Sequence, residues 1–319
     1  MTKRILTCFL LTLILVGLAG CGKKEDKMTL KEAYRMDGIE ALDDERYDKA
    51  IELFLLALKE SNGFVKEIDF DINYYLGYAY YQNGEYEKSI ETFDSVLAMK
   101  DKETEAYYYR ALANLKLQRL SEAEADFLKV TAKNPSNYDT YIDIYFCLCD
   151  AGYEEIGSNY LLATLENGKN MSEYDKGRIC YYLGDYSNAR VCLEKAKDMS
   201  DPDTILMLGK TYEAIDDYSY AASLYNTYIS DKGNNAAVYN QLGVCRLKMN
   251  DYEAAQNAFT SGLNLQDPAW EQELLYNQAI TYEYMLDFSE AYEKMGIYLE
   301  KYPKDEDAKR EYEFLSTRI

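Results

Sequence analysis

A unit of about 34 residues recurs eight times along this chain, and this repetition constrains the fold more than any other feature of the sequence. Each copy has a characteristic position, usually occupied by a small residue, near the start of its second half. In chain order these positions are Ala50, Ser89, Ala123, Ile156, Ala189, Ala221, Ala255 and Ala291. Because a segment this short cannot bury its own apolar face, the copies must stack on one another around a continuous core.

Each copy has the pattern of two amphipathic helices joined by a short turn. The first helix carries a small residue where a larger side chain would hold the two helices apart; these residues are Gly38, Gly77, Ala111, Gly177, Gly209, Gly243 and Ala279. An aromatic residue follows the turn at Tyr47, Tyr86, Tyr153, Tyr186, Tyr218, Tyr252 and Phe288, and Leu120 takes this place in the third copy. Large residues follow seven positions later, on the same helix face: Phe54, Phe93, Phe127, Tyr160, Leu193, Tyr225, Phe259 and Met295.

This pattern resembles the tetratricopeptide repeat family over residues 29–303. The resemblance implies an all-α fold, an α/α superhelical solenoid of about eight repeats with a concave groove. It also implies peptide or protein binding without catalysis. Residues 304–319, after Pro303, are predicted to form a capping helix that covers the last repeat with Phe314, Leu315 and Ile319.

Two places depart from the repeat pattern. About five extra residues lie near Glu60 to Asp69, between the first and second repeats. In the fourth repeat, Tyr145 stands where the other first helices have glycine or alanine. A ring at this position should push the paired helices apart, and we expect a bend or irregular packing near residues 140–175.

In the family, the first helices line the groove. The residues three before, one after and four after the small position share one helix face. The candidates for partner binding on this face are Tyr74, Tyr78, Tyr81, Tyr108, Phe146, Tyr174, Arg178 and Tyr181. Tyrosine combines apolar area with one hydroxyl and is enriched at binding hot spots. The alternative is that these rings pack between neighbouring repeats. In the sixth repeat the same face holds Leu206, Lys210 and Glu213.

Residues 1–20 have the pattern of a lipoprotein signal peptide, with Lys3 and Arg4 before an apolar run. The run ends in Leu18-Ala19-Gly20-Cys21, which resembles the bacterial lipobox. The resemblance implies lipidation of Cys21, export, and a lipid anchor in the cell membrane with the protein on its extracytoplasmic side. Residues 21–28 would then be the lipidated cysteine and a short charged tether. An uncleaved signal anchor is the alternative.

Composition excludes several classes of function. The chain has 35 basic and 56 acidic residues, which argues against nucleic-acid binding. It has no histidine, the usual general base and the commonest metal ligand. We therefore expect no cofactor and no metal. The five cysteines after Cys21 do not form a disulfide framework by their number and spacing; we expect small core residues, with reactive thiols or a metal site as alternatives.

Three functions are compatible with these observations. The first is a membrane-anchored scaffold that binds an unknown protein or peptide partner. The second is a lipoprotein that captures a glycan or small ligand, although the chain has a single tryptophan, Trp270, for stacking on sugars. The third is an enzyme that uses two carboxylates. No pair of acidic residues stands out from the solvated helix faces, so the scaffold is the prediction and no catalytic residue is assigned.

Overall fold

The computed structural model describes residues 29–61 and 65–319, so the predicted signal peptide, Cys21 and the tether lie outside the described residues. Within these ranges the chain forms helices and no strands, which confirms the predicted all-α class. The helices are α1 (Leu30–Asp43), α2 (Tyr47–Lys59), α3 (Glu67–Gln82), α4 (Tyr86–Met99), α5 (Thr104–Lys116), α6 (Leu120–Lys133), α7 (Tyr138–Asp150), α8 (Glu154–Asn167), α9 (Glu173–Tyr182), α10 (Tyr186–Ala196), α11 (Pro202–Glu213), α12 (Tyr218–Lys232), α13 (Ala236–Lys248), α14 (Tyr252–Leu263), α15 (Glu271–Tyr284), α16 (Phe288–Lys301) and α17 (Glu306–Ser316). None of the helices in the described ranges is both long enough and apolar enough to cross a membrane.

The chain divides into two compact units. The N-terminal unit ends at Leu117 and contains α1 to α5, and the C-terminal unit begins at Gln118 and contains α6 to α17. In the N-terminal unit, α1–α2 and α3–α4 pack as hairpins, the second hairpin packs on the first, and α5 packs on α4. In the C-terminal unit, five hairpins pack each on the next: α7–α8, α9–α10, α11–α12, α13–α14 and α15–α16. The third repeat is divided, with α5 in one unit and α6 in the other. The helix-hairpin solenoid predicted from the repeats is therefore confirmed within each unit.

The turns inside the repeats share one backbone geometry. In the first repeat, Glu45 has a left-handed φ of 59°. The N–H of Arg46 then donates to the carbonyl of Ala41 at 2.8 Å, and the N–H of Glu45 donates to Leu42 at 3.0 Å. These two bonds form a Schellman motif, which satisfies the last carbonyls of the first helix. The equivalent left-handed residues are Gly84, Gln118, Gly152, Gly184, Asp216, Asn250 and Leu286.

In each repeat, counting from the left-handed residue of the turn gives the register of the second helix. The fifth residue after it is the small one and the ninth is the large one, as Ala50 and Phe54 follow Glu45. In the fourth repeat the count from Gly152 leads to Gly157 and Leu161, which are buried, whereas Ile156 and Tyr160 are half-buried. The predicted positions Ile156 and Tyr160 were therefore wrong by one residue. The error arose because Tyr153 precedes α8, while the aromatic residues of the other repeats begin their helices.

In five hairpins that lie within one unit, the small glycine of the first helix lies against the large residue of the second helix, as predicted: Gly38, Gly77, Gly177, Gly209 and Gly243. A Cβ atom added to Gly38 would lie 2.6 Å from the ring of Phe54, and one added to Gly243 would lie 2.3 Å from Phe259. Phe54 and Phe259 are fully buried. The close approach of the paired helices thus depends on the missing side chain.

In the fourth repeat the small residue is on the second helix and the bulky residue is on the first. Its small residue is Gly157 on the second helix, and a Cβ there would lie 3.3 Å from Tyr145 Cδ2. The Tyr145 hydroxyl donates to the carbonyl of Tyr182 in the next hairpin at 3.0 Å. A small residue on α8 therefore makes room for the bulky one on α7. The bend that we expect near residues 140–175 stays a prediction.

Helix α17 packs on α16 as the predicted cap, but with fewer apolar contacts than expected. Leu315 and Ala308 are buried, whereas Phe314 and Ile319 are exposed. Arg318 lies over the Phe314 ring, 4.7 Å from its centroid. We expected Phe314 and Ile319 to cover the last repeat, and this prediction was wrong. Adjacent residues of a helix point in different directions, so Leu315 is buried while Phe314 faces solvent.

Candidate functional site

The candidate tyrosines of the N-terminal unit gather around a residue that we did not select from the sequence. Tyr109 on α5 lies with its ring centroid 6.2 Å from Tyr74, 5.0 Å from Tyr78 and 6.2 Å from Tyr81. Tyr108 contacts the same ring at 5.7 Å. We call Tyr74, Tyr78, Tyr81, Tyr108 and Tyr109 the first aromatic cluster. All five side chains are half-buried.

The members of the first aromatic cluster differ in depth. Tyr74 packs edge-on against the buried Phe93, and burial together with a hydrogen bond to Glu105 raises the pKa of its hydroxyl. Tyr78 lies nearer solvent and accepts a hydrogen bond from Gln82 at 2.6 Å. Tyr74 thus joins the packing between neighbouring hairpins, whereas Tyr78 presents its hydroxyl near the surface.

The C-terminal unit has a second group of rings on its first helices. Phe146 on α7 lies 5.0 Å from Tyr182 on α9, edge to face, and Tyr181 lies 5.5 Å from Tyr182. Tyr145 contacts Phe146 at 5.2 Å. We call Tyr145, Phe146, Tyr181 and Tyr182 the second aromatic cluster. Such edge-to-face pairs contribute roughly 0.5–1.5 kcal/mol each beyond the burial of area.

Arg178 and Tyr174 adjoin this cluster on α9 and form an ion-pair site. The guanidinium of Arg178 donates to Asp139 at 2.6 Å and to Asp175 at 2.8 Å, and it lies 4.8 Å from the centre of the Tyr174 ring. Burial acts to lower the pKa of Arg178, but the bonds to Asp139 and Asp175 outweigh it and hold that pKa above its usual value. Arg178 is therefore already engaged by two carboxylates within the protein.

A third acidic side chain, Asp143, lies near enough to this ion-pair site to be influenced by the charges of Asp139 and Arg178. Burial and the neighbouring Asp139 raise the pKa of Asp143, and Arg178 acts in the opposite direction. The site thus has three acidic side chains and one arginine. A surface of this kind favours a cationic ligand more than an anionic one.

Tyr109, Tyr182 and Asp143 were missed by sequence reasoning. Tyr109 and Asp143 lie two residues before the small position of their repeats, and this place is off the face that we used to choose candidates. The run Tyr107-Tyr108-Tyr109 was the only local signal for the first of them. Their contacts depend on how closely neighbouring hairpins approach, which the periodicity of one helix does not give.

The arrangement of the cysteines fits core residues more than a redox or metal site. Cys180 and Cys245 are buried, and Cys147, Cys149 and Cys192 are half-buried. Burial raises the pKa of Cys180 to about 11, so its thiolate is scarce at neutral pH. Among the described residues, no group of three or more potential metal ligands converges.

Glu213, which we placed on the groove face, takes part instead in a polar contact inside the sixth repeat. The fully buried Tyr225 donates its hydroxyl hydrogen to Glu213 at 2.7 Å. Burial raises the pKa of Glu213, although hydrogen bonds from Tyr225 and Cys245 act in the opposite direction. The carboxyl group therefore holds its proton to higher pH in the folded protein than in the unfolded chain.

This shift predicts how Glu213→Gln changes the pH dependence of stability. Between the ordinary pKa of 4.5 and the raised folded value, the folded state binds more protons than the unfolded state, so Glu213 weakens the protein as pH rises. We expect the free energy of unfolding of the variant, relative to the wild type, to increase from pH 4.5 upward and then level off. Urea denaturation between pH 4.5 and 8 measures this difference, and Glu253→Gln on the exposed face of α14 is the control. A difference that stays constant over this range would refute the assignment.

Two sequence models of the tetratricopeptide repeat match the chain. One covers residues 35–104 and 76–138, and the other covers 174–203 and 236–267, which together is more than half of the sequence. Residues 139–173, where Tyr145 replaces the small residue, fall between the matched ranges. No curated protein sequence matches the chain significantly.

Several solved structures are similar in fold. A tetratricopeptide repeat protein from Parabacteroides merdae is 13% identical with a TM-score of 0.47, over 79% of this chain and 98% of that one. The human IFIT1 dimer with m7Gppp-AAAA is 13% identical with a TM-score of 0.49, over 86% and 77%. YrrB, described as a tetratricopeptide repeat protein with an unusual peptide-binding site, is 20% identical with a TM-score of 0.40, over 59% and 97%.

Proposed function

Because this chain belongs to the tetratricopeptide repeat family, we propose that it is a non-catalytic scaffold that binds a protein or peptide partner on the first-helix faces of its repeats. The observation that carries the proposal is the grouping of half-buried rings on these helices in each unit. Rings that are already fixed by their neighbours lose little entropy when a partner covers them. Their hydroxyl groups add hydrogen-bonding capacity at the rim.

The charges around the rings support a partner segment that carries lysine or arginine beside apolar residues. Asp139, Asp143 and Asp175 outnumber Arg178 at the edge of the second aromatic cluster. The whole chain has a formal net charge of −21, which speeds the approach of a cationic partner at low ionic strength. A partner that presents a carboxylate would lack a free arginine at this site.

We further propose that the scaffold is exported and lipid-anchored at Cys21, on the extracytoplasmic side of the cell membrane. The support comes from the sequence of residues 1–21, with its basic start, apolar run and Leu18-Ala19-Gly20-Cys21 ending. Two acyl chains on one cysteine give stable anchoring, since each buried methylene contributes ~0.8 kcal/mol.

Photo-crosslinking in the native host tests partner binding. A photoreactive amino acid is placed at Tyr78 in one strain and at Tyr181 in another, and matched control strains carry it at the exposed Glu91 on α4 and Arg190 on α10. We expect one dominant protein product from the first-helix probes and none from the controls, and mass spectrometry identifies it. Equal products from both faces would contradict the proposed surface. No protein product from any probe would instead support the capture of a glycan or small ligand.

A further inference from the structure

Four helix ends meet at one edge of the N-terminal unit. Lys31, at the start of α1, donates to Ser61 just beyond α2 at 2.7 Å and forms an ion pair with Asp69 near the start of α3. Lys100, just beyond α4, forms an ion pair with Glu67 and lies 4.6 Å from the centre of the Phe70 ring. The beginnings of α1 and α3 and the ends of α2 and α4 are therefore held together on the same side of the unit.

This edge is unusually apolar for a surface. Leu30, Val65 and Met99 are 53%, 56% and 61% exposed, and they are three of the five large exposed apolar residues in the described part of the N-terminal unit. Val65 and Met99 border a cleft of about 300 Å³ that Phe70 and Val96 also line. We define Leu30, Val65, Phe70 and Met99 as the tether edge. The exposed Lys59 and Lys66 lie at the same helix ends, next to the exposed Glu60 and Glu67.

The opposite edge of the same unit lacks large exposed apolar residues in the described part of the chain. It consists of the turns inside the first two repeats, and it carries the acidic residues Asp43, Asp44, Glu45 and Glu85. None of the five large exposed apolar residues lies in these turns. The two edges are separated by the length of the helices, about 20 Å for 14 residues at 1.5 Å per residue.

The chain enters the unit at the tether edge. Thr29 caps the start of α1, and its side chain accepts a hydrogen bond from the N–H of Glu32. Only residues 22–28 separate Thr29 from Cys21. Even fully extended, this connection spans at most roughly 29 Å. A lipid on Cys21 therefore keeps the bilayer surface within reach of the tether edge, and Lys23, Lys24 and Lys27 along the connection are attracted to anionic headgroups.

We propose that the tether edge rests on the bilayer, with Leu30, Val65 and Met99 in the headgroup region and the lysines beside them facing lipid phosphates. This inference rests on the lipid anchoring proposed above. Apolar side chains flanked by lysine are suited to this boundary, since the lysine stem lies along apolar surface while its ammonium group reaches the headgroups. The contact stands α1 to α4 upright on the membrane surface. Their acidic turns are then at the end of the unit that lies away from the bilayer.

Fluorescence quenching in vesicles tests the contact. The lipidated protein is purified from its host with Trp270→Phe in the background, and a tryptophan is introduced by Met99→Trp, by Val65→Trp or, as the control on the opposite edge, by Asp43→Trp. Each protein is reconstituted into vesicles of three parts phosphatidylethanolamine and one part phosphatidylglycerol that contain a lipid with a nitroxide near its headgroup. We expect the first two tryptophans to be quenched at least threefold more than the third. All three sites are exposed, so the folded state tolerates the changes.

The outcomes separate this inference from the anchoring on which it rests. Wild-type protein should float with the vesicles, and a chain that begins at Gly22 and so lacks both the apolar run and Cys21 should not; if the wild type does not float, the proposed anchoring fails. If it floats but Met99→Trp and Val65→Trp are quenched no more than Asp43→Trp, the membrane contact alone is overturned. A blue-shifted but unquenched tryptophan also overturns it. A blue shift that grows with protein concentration would then show that a second copy of the chain covers the tether edge. A blue shift that is independent of concentration would show that residues 22–28 cover it.

Discussion

Gly209→Ala will lower the free energy of unfolding by about 1–3 kcal/mol, the range for an overpacked core. Alanine is the better helix former by about 0.5–1 kcal/mol, so propensity alone predicts the opposite sign. The reason is steric, since a Cβ on Gly209 would lie 2.2 Å from Cζ and Oη of Tyr225. Tyr225 is fully buried and its hydroxyl is held by Glu213 at 2.7 Å. The ring therefore has little freedom to move away.

Gly296→Ala is the matched control for this substitution. Gly296 lies in the interior of α16, and an added Cβ would be 3.4 Å from the nearest atom of Tyr312, an ordinary contact. We expect this variant to be more stable than the wild type, by up to about 1 kcal/mol. Urea denaturation followed by circular dichroism measures both changes. If the two variants shift in the same direction, the close approach of α11 and α12 does not limit the residue at position 209.

Arg178→Ala will lower the free energy of unfolding of the C-terminal unit by about 1–3 kcal/mol. We expect this loss of stability whether or not a partner is present. The Arg178 side chain is 15% exposed and packs on the Tyr174 ring. Its removal leaves Asp175 and Asp143 without their neutralising partner in a partly buried place. We set the magnitude below that of a fully buried ion pair because Asp139 is 69% exposed and is solvated without Arg178.

Two comparisons distinguish this structural role from direct contact with a partner. Arg310→Ala removes an ion pair with Asp307 in which both side chains are largely exposed, and we expect no measurable change in the denaturation midpoint. Arg178→Lys keeps the charge but loses the two-pronged geometry, so it should recover part of the stability. An Arg178→Ala protein with an unchanged midpoint but no crosslinked partner from the Tyr181 probe would contradict the structural role and make Arg178 a contact residue.

The sequence was sufficient for the architecture of each hairpin because the features involved are local. Gly38 precedes Phe54, and Gly243 precedes Phe259, by the same number of residues, so helical periodicity and one short turn determine that they meet. The same reasoning failed by one residue in α8. There the turn geometry at Gly152, and not the aromatic residue Tyr153, sets the start of the helix. The backbone conformation of a turn is only weakly specified by residue type, as the left-handed Glu45 and Leu286 show.

The candidate binding face was predicted in part. Tyr78, Tyr81 and Tyr108 lie together, as expected from their positions on one face of the first helices. The ring that contacts all three belongs to Tyr109. Arg178 lies on the expected helix, yet its guanidinium is occupied by Asp139 on α7 and Asp175 on α9. Glu213 was placed on the groove face of the sixth repeat, and its carboxylate accepts a hydrogen bond from the buried Tyr225. In each case at least one of the deciding contacts joins two different helices.

The sequence by itself determined the repeat length, the helix-turn-helix composition of each copy and the small and large residues that meet inside most hairpins. These follow from spacings within one repeat, which the period of the α-helix converts directly into contacts. The tertiary structure alone decided that Tyr109 lies at the centre of the first aromatic cluster, that Arg178 is neutralised and that Leu30, Val65 and Met99 share one edge. These contacts depend on the separation and rotation of neighbouring helices, and that geometry results from the packing of many side chains at once.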